Sequence, residues 1–554
     1  MPIRQLSAIA PKDLMKTFQL LSTVACCALA GCWSAQGSLE EVDDRVYPIL
    51  ESASEQVTGL KKTVPIVRPV DTLRQRLLDS PTAVRLSLTE SLDVAAENSR
   101  DFQRQKEQLY LAALDLTRSM RQFEIIYSGD VAGGIDGQGR DTSSDVDVGA
   151  GLGASTQTES GGRIVADFAT TFLRSVINGG DFDGSSILSL SITQPLMRGS
   201  GRRIAREPLT QAERNVIYQM RSFERFRATF ATQVVSDYYG VVQQAQNLKN
   251  VEANYESVRQ SRLRTEEEFK ASRKTISDLG REQQSELSAS NNRVRAQNQL
   301  ETSLDRFKIT LGLPVTSKVD LDDSELDRLA ERGVTQFSLE EPTAVSIALD
   351  RRYDHRTVLD QVADAARKIA VAEDALRMGL GFVSAISVPS KDGPGVEPDW
   401  SKVNWSAGFD LDLAFNRFDE RNAYRSSLIA LEVSIRSREQ SQDNIASQIR
   451  AALRNIQTAF DSYGIQVEAE KVARLRVEST TELYAAGRTN ALDVLDAKDS
   501  LLSAQLSLTQ AIVDYAIARI QLLRDLEGLR LEPQGLRFDP ALEVPSQSPA
   551  GERP

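Results

Sequence analysis

After residue 32 this 554-residue chain contains no cysteine, and it has a single histidine, His355. Cys26, Cys27 and Cys32 crowd the N-terminus, so no disulfide can staple the body of the protein and no thiol can serve there as nucleophile or ligand. One imidazole cannot build the paired histidine sites of zinc enzymes, and His355 reads as an ordinary surface side chain. Neither a metal nor a cofactor is expected. Aromatic residues are scarce at 6%, and the net charge of −12 excludes a nucleic-acid binder, which needs a basic face to neutralise phosphates. The apolar run from Phe18 to Ala30 is too short to cross a bilayer as a helix.

Catalytic patterns are missing too. Asp493 and Asp496 could be read as a general acid and base, but no pocket-forming enzyme pattern surrounds them. The glycine-rich stretches at 133–162 and 179–185 lack a phosphate-loop lysine and a following helix, so they read as loops between strands. The run Glu266-Glu267-Glu268 reads as a solvated helix face.

What is present is helical periodicity on an unusual scale. It runs from Arg202 to about Phe269, and again from Asn422 to about Tyr484. At 1.5 Å per residue each run is on the order of 100 Å long. A helix of that length needs partners along its whole extent. After Tyr484 a second apolar stripe begins with Leu501, Leu502, Leu506 and Leu508 and continues to Leu523. Gly487 offers the one easy left-handed position between the two, so the chain is expected to reverse there into an antiparallel hairpin.

The unit occurs twice. One offset carries Phe269 onto Tyr484, Arg273 onto Arg488, Asp278 onto Asp493, Leu287 onto Leu502 and Ala289 onto Ala504. A slightly longer one carries Leu92, Val94, Ala95 and Asp101 onto Val345, Ile347, Ala348 and Asp354. Repeats of roughly 200 residues exceed any solenoid unit and point to duplication of a whole hairpin-bearing segment.

Between the helical runs the period drops to two. Val146, Val148, Ala150 and Leu152 alternate with Asp145, Asp147, Gly149 and Gly151, and Phe409, Leu411, Leu413 and Phe415 alternate with Asp410 and Asp412. Such alternation marks transmembrane β-barrel strands, and equally half-buried strands of soluble sheets. The very long flanking helices supply no second layer, which favours the barrel. Four strands are expected in the first half, near 124–133, 145–158, 163–173 and 187–195, and two in the second, near 380–388 and 405–415. The turn at Glu159 to Gly162 should lie on the periplasmic side.

At the N-terminus, Lys12 and Lys16 precede the apolar run of a signal peptide, and Met15 offers an alternative start. Leu29-Ala30-Gly31-Cys32 resembles the lipobox of bacterial lipoproteins, with Cys32 the acylated first residue; plain secretory cleavage after Ala30 is the other reading. The expected organisation is a signal peptide over 1–31, a polar, irregular tether over 32–83 interrupted by Pro48, Pro65 and Pro69, and a first repeat over 84–315. An equatorial linker over 316–340, a second repeat over 341–530 and a disordered tail over 531–554 complete it. Pro208 is expected to bend the start of the first long helix.

Tyr484-Ala-Ala-Gly-Arg-Thr-Asn-Ala-Leu-Asp-Val-Leu-Asp-Ala497, together with Thr193-Gln194-Pro195-Leu196, the Gly199-Ser200-Gly201-Arg202 turn and Leu86-Ser87-Leu88-Thr89-Glu90-Ser91-Leu92, resembles the TolC family of outer-membrane efflux proteins. The resemblance covers roughly residues 84–530. It implies a mainly helical fold: a homotrimer in which duplicated long hairpins form a periplasmic α-barrel and the strands contribute to one transmembrane β-barrel. It further implies export with a periplasmic adaptor and an inner-membrane pump, no enzymatic activity, and a place in the outer membrane, here with a lipid anchor at Cys32. The family pattern has two strands per repeat, so six per chain is a departure. A structural coiled-coil envelope lipoprotein without a pore is the competing reading, and it gives no reason for strands that are apolar on one face and acidic on the other.

Two sets of residues follow for the helix turns. Gly487, Arg488 and Thr489 with Ser272, Arg273 and Lys274 would form tips presented to the adaptor; Ser272 stands where the family usually has glycine, so that turn is expected to be less tight. Asp493 and Asp496 lie three apart on one helix face, and a trimer would gather six such acids, raising their pKa values unless neutralised. The resemblance implies that they line the narrowest constriction and that Tyr484 helps tie it closed. Thr489 replaces an arginine common in the family, and the first repeat offers Asp278 and Arg281 at the matching places.

Overall fold

The computed structural model describes residues 35–67, 71–79, 83–138, 143–175, 183–322, 324–332, 334–391, 397–413, 415–532 and 535–539. Two hairpins set its length. Helices α6 (Glu207–Lys270) and α7 (Ile276–Leu311) make the first, α11 (Phe418–Ala485) and α12 (Ala491–Asp525) the second. The longer arms have 64 and 68 residues, or roughly 100 Å each at the helical rise. Pro208 occupies the first turn of α6, where its missing N–H costs nothing, so it starts the helix and does not bend it.

Each repeat prefaces its hairpin with shorter helices. In the first, α3 (Leu88–Asn98) and α4 (Arg100–Arg121) follow strand β1 (Val84–Leu86). The Leu-Ser-Leu-Thr-Glu pattern is a capping box: Ser87 Oγ accepts from the Glu90 amide at 3.3 Å, and Glu90 Oε2 accepts from the Ser87 amide at 2.8 Å, which satisfies two otherwise orphaned donors. In the second, α9 (Glu341–Arg351) and α10 (Tyr353–Ala375) play the same part. The linker holds α8 (Ser324–Arg332) and strand β6 (Val319–Leu321), which pairs in parallel with β1.

The remaining long strands form one antiparallel sheet in the order β2 (Ile126–Gln138), β3 (Ser143–Gln157), β4 (Arg163–Ser175), β5 (Asp183–Pro195), β7 (Gly379–Pro389), β8 (Asn404–Asp412). All six expected strands are there. The two repeats join where β5 pairs β7, from Ile187↔Pro389 to Pro195↔Gly381. Register puts Leu152, Phe168 and Leu188 in one cross-strand row, and Phe409 opposite Phe382. The other face carries Asp130, Asp147, Asp167, Asp410 and Asp412. The turn between β3 and β4 abuts the start of the helices: the Gly201 amide donates to the Ser160 carbonyl at 3.0 Å, Glu159 pairs with Arg202 and Arg206, and a short helix α5 (Arg202–Ala205) leads into α6.

Four expectations need correction, the first being that the glycine-rich stretch 133–162 is loop: most of it lies inside β2 and β3, where glycine suits closely paired strands. The stretch assigned to an irregular tether contains a 24-residue helix, α1 (Ala35–Thr58), with Pro48 inside it, and the short helix α2 (Leu73–Asp79). Val46, Leu50 and Ala53 of α1 are buried against the core, and that burial offsets the proline's cost. The tail assigned as disordered begins instead with a hairpin, β9 (Leu529–Glu532) and β10 (Gly535–Phe538), and Arg351 pairs with Asp539 at 2.6 Å. His355 is buried, 2% exposed, because α10 packs against α11, and its Nδ1 lies 3.4 Å from Ser441 Oγ.

The main core gathers α1, α3, α4, α6 and α7 around Leu50, Leu109, Met220, Tyr238 and Phe307, and Phe102 packs against the rings of Phe223, Phe226 and Phe230. A smaller core joins α9, α11 and α12 through Ala344, Ile445, Ile449 and Leu522. Among the described residues no helix is long and apolar enough to cross a membrane.

Gly312 ends α7 at φ 73°, and a Cβ there would lie 2.3 Å from the Asn98 carbonyl oxygen. Gly487 has a similar φ and open space. Gly487→Ala should therefore cost only the left-handed strain of roughly 1–2 kcal/mol, and Gly312→Ala clearly more, because backbone must move. Thermal unfolding of the two variants in detergent checks the order.

Candidate functional site: the turns of the long hairpins

Both long hairpins reverse by the same device. At the end of α11 the Gly487 amide donates to the Tyr484 carbonyl at 3.0 Å and the Arg488 amide to the Leu483 carbonyl at 2.8 Å, with Gly487 at φ 70°. At the end of α6 the Ser272 amide donates to the Phe269 carbonyl and the Arg273 amide to the Glu268 carbonyl, both at 2.8 Å, with Ser272 at φ 60°. This six-to-one closure satisfies the last carbonyls of each helix. The expectation that Ser272 loosens its turn is corrected: serine takes the left-handed conformation at some local cost, and the bonding is the same.

The following helices are capped at matching positions. Thr275 and Asp278 form a capping box at α7, with Asp278 Oδ2 accepting from the Thr275 amide at 3.1 Å and its hydroxyl at 2.7 Å. The Thr275 hydroxyl and amide hold the Asp278 carboxyl below its ordinary pKa. At α12, Asn490 Oδ1 accepts from the Asp493 amide at 3.1 Å. The carboxylate of Asp493 accepts from the Thr489 hydroxyl. Thr489 thus acts locally, on the next turn of its own hairpin.

Asp493 and Asp496 are both exposed on one face of α12. Asp496 is not alone there: the Arg476 guanidinium, one helix over on α11, pairs with it and also donates to Ser500 Oγ at 3.2 Å. Sequence reasoning looked for the counter-charge in the first repeat, at Arg281, which instead bonds Ser277. Arg476 was findable, because it and Asp496 lie at similar distances on either side of the Gly487 turn and so face each other in any tight hairpin.

The two tips touch. Lys274 Nζ sits 4.3 Å from the centre of the Tyr484 ring, a cation–π distance, and the Tyr484 phenol raises the Lys274 pKa. Two turns further up, the hairpins are joined again. Lys498 of α12 donates to Ser261 Oγ at 2.8 Å and to the Ser257 carbonyl at 3.2 Å, both on α6. Nearby Glu282 of α7 is 3% exposed, and its Oε2 has no hydrogen-bond partner among the described residues. The duplication offset that carries Asp278 onto Asp493 carries Glu282 onto Ala497, which is fully buried. Glu282 therefore sits where the other repeat has a core alanine. Burial pushes its pKa up, against the pull of Lys498, and burial pushes that of Lys498 down. Cys32 lies outside the described residues.

Residues 361–526 match the family model described as outer membrane efflux protein. The fold is shared with solved channels. The outer-membrane channel OprN matches with a TM-score of 0.58 at 17% identity, over 84% of this chain and 93% of that one. The CmeC outer membrane channel of Campylobacter jejuni matches with a TM-score of 0.59 at 16% identity, over 79% and 85%. The MtrE outer membrane channel of Neisseria gonorrhoeae, solved in its open state, matches with a TM-score of 0.58 at 14% identity, over 79% and 88%. No curated protein sequence matches this chain.

A carboxyl whose folded pKa is raised weakens the fold once it ionises, so the penalty from Glu282 is absent at low pH and develops as pH rises through that pKa. Glu282→Gln should therefore melt above the unsubstituted protein at pH 8, with the gap closing as pH falls toward 4. A gap independent of pH would contradict this.

Proposed function

We propose that this chain, which matches the outer membrane efflux protein model over residues 361–526 and shares its fold with solved outer-membrane channels, is the passive exit duct of a tripartite export system. The observation that carries the reading is the sheet. Six strands present Trp405, Phe409, Leu152 and Tyr127, each at least 67% exposed, on one face and aspartates, glycines and serines on the other. Lipid outside and water inside is the environment that suits both. A pore-free scaffold would not need it.

The exposure of α11 supports assembly as a homotrimer. Only Ile445, Ile449, Ile456 and Ala473 of its 68 residues are buried, while Ile429, Val433, Ile465, Val472 and Leu475 stay exposed. Neighbouring copies would cover them along the tunnel. An acylated Cys32 fits the same arrangement. Arg45 of α1 pairs with Glu124 at 3.3 Å, just before β2 begins, so the N-terminal end of α1 lies toward the sheet and a lipid anchor there meets the inner leaflet. Pairing of the Lys274 and Tyr484 tips presents Ser272, Arg273, Gly487, Arg488 and Thr489 at the far end, as a docking surface for a periplasmic adaptor that links the duct to an inner-membrane pump.

Asp493 and Asp496 of three copies would ring the entrance at that end. The pairing of Asp496 with Arg476 leaves Asp493 the stronger contributor to its charge. Full-length protein in planar bilayers should show a reversal potential for cations over anions. That preference should fall in the Asp493→Ala, Asp496→Ala double variant and rise in Arg476→Ala, which unmasks Asp496. Unchanged selectivity in both variants refutes the gate assignment, and failure to conduct at all refutes the duct.

A further inference from the structure

We propose that three copies close an eighteen-stranded wall, whose bore at the membrane is about half again as wide as that of a twelve-stranded one. The inference rests on the trimeric outer-membrane reading above and concerns the width of the exit through the membrane. It starts from the hairpin of β3 and β4, which brings this chain to six strands. That hairpin is no appendage. It is inserted between β2 and β5, with β3 bonded to β2 from Ile126↔Ser155 to Gln138↔Ser143 and β4 bonded to β5 from Arg163↔Thr193 to Leu173↔Asp183. Removing it from the wall would break both ladders. The side chains agree, because Val148, Leu152, Ala166 and Phe168 share the apolar face of Leu188 and Phe409, while Asp147 and Asp167 share the polar face of Asp410.

Strand number sets width. With strands about 4.8 Å apart and tilted by about 40°, eighteen enclose a ring roughly 36 Å across between facing backbones, against roughly 24 Å for twelve. The polar face keeps that space open, since much of it is Gly149, Gly151, Gly153, Ser189, Ser191 and Gly381. Three of its acids also lie flat against the wall. A Cβ on Gly151 would meet Asp130 Oδ1 at 2.6 Å, one on Gly134 would meet Asp147 Oδ1 at 2.6 Å, and one on Gly153 would meet Asp167 Oδ1 at 2.8 Å. Each carboxylate is folded over a glycine of the next strand and lines the wall without crossing the bore.

The test places spin labels, one at a time, on cysteines introduced at Leu152, Phe168, Thr171 and Phe409 of the full-length protein in lipid nanodiscs, and reads oxygen against nickel-chelate accessibility. Labels at 152 and 168 should match the one at 409, with an oxygen preference severalfold above that at 171, which faces the lumen. A lipid signature at 409 with 152 and 168 open to nickel would take the hairpin out of the wall and overturn the proposal. A water signature at 409 would overturn the membrane reading on which it rests. Neutral polymers added from the barrel side of a planar bilayer should enter up to about one and a half times the radius allowed by a twelve-stranded wall of the same tilt. Exclusion at the narrower limit would equally overturn it.

Discussion

A helix nearly 100 Å long cannot stand alone in water, because its stability comes from the apolar face it buries and not from its own hydrogen bonds. Everything else in this molecule answers that constraint. Helix α6 meets it within the chain, with nineteen buried side chains supplied with partners by α1, α4, α7, α10 and α12. Helix α11 is as long and buries four. The imbalance is what the proposed assembly would resolve, with neighbouring copies covering the exposed apolar residues of α11.

Duplication supplied the parts, and divergence between the copies set them to different uses. Both hairpins close with the same hydrogen bonds and cap the return helix at the same place, with Thr275 in one and Asn490 in the other. The differences are local. Glu282 replaces a core alanine, Arg476 faces Asp496, and the first repeat carries four strands where the second carries two. A repeated backbone can hold the two side-chain changes because each lies at the surface of a hairpin or at the seam between two.

Much of this was legible in the sequence, for a physical reason. Period-two alternation located the strands near 145–158, 163–173, 187–195 and 405–415 to within a few residues, because a strand with one apolar and one polar face cannot blur its pattern. Helical runs and Gly487 gave the hairpin, and the family resemblance gave the fold. Elements that depend on tertiary packing were hidden. Pro48 reads as a breaker, yet α1 persists through it because Val46, Leu50 and Ala53 reach a core that local pattern does not reveal. His355 looked exposed for want of partners in sequence and is buried by helices that meet in space. At the candidate gate the acids stood out, while Arg476, Lys274, Lys498 and Glu282 became meaningful only when one helix was laid against another.

The central claim is that this chain is one third of a continuous duct. Imaging the full-length protein, extracted from membranes and held in lipid nanodiscs, by electron microscopy tests it most directly. The account predicts a three-fold particle in which a hollow barrel in the disc continues into a hollow helical cylinder on the order of 100 Å long. A single-copy rod, or a helical bundle with no lumen, would contradict it.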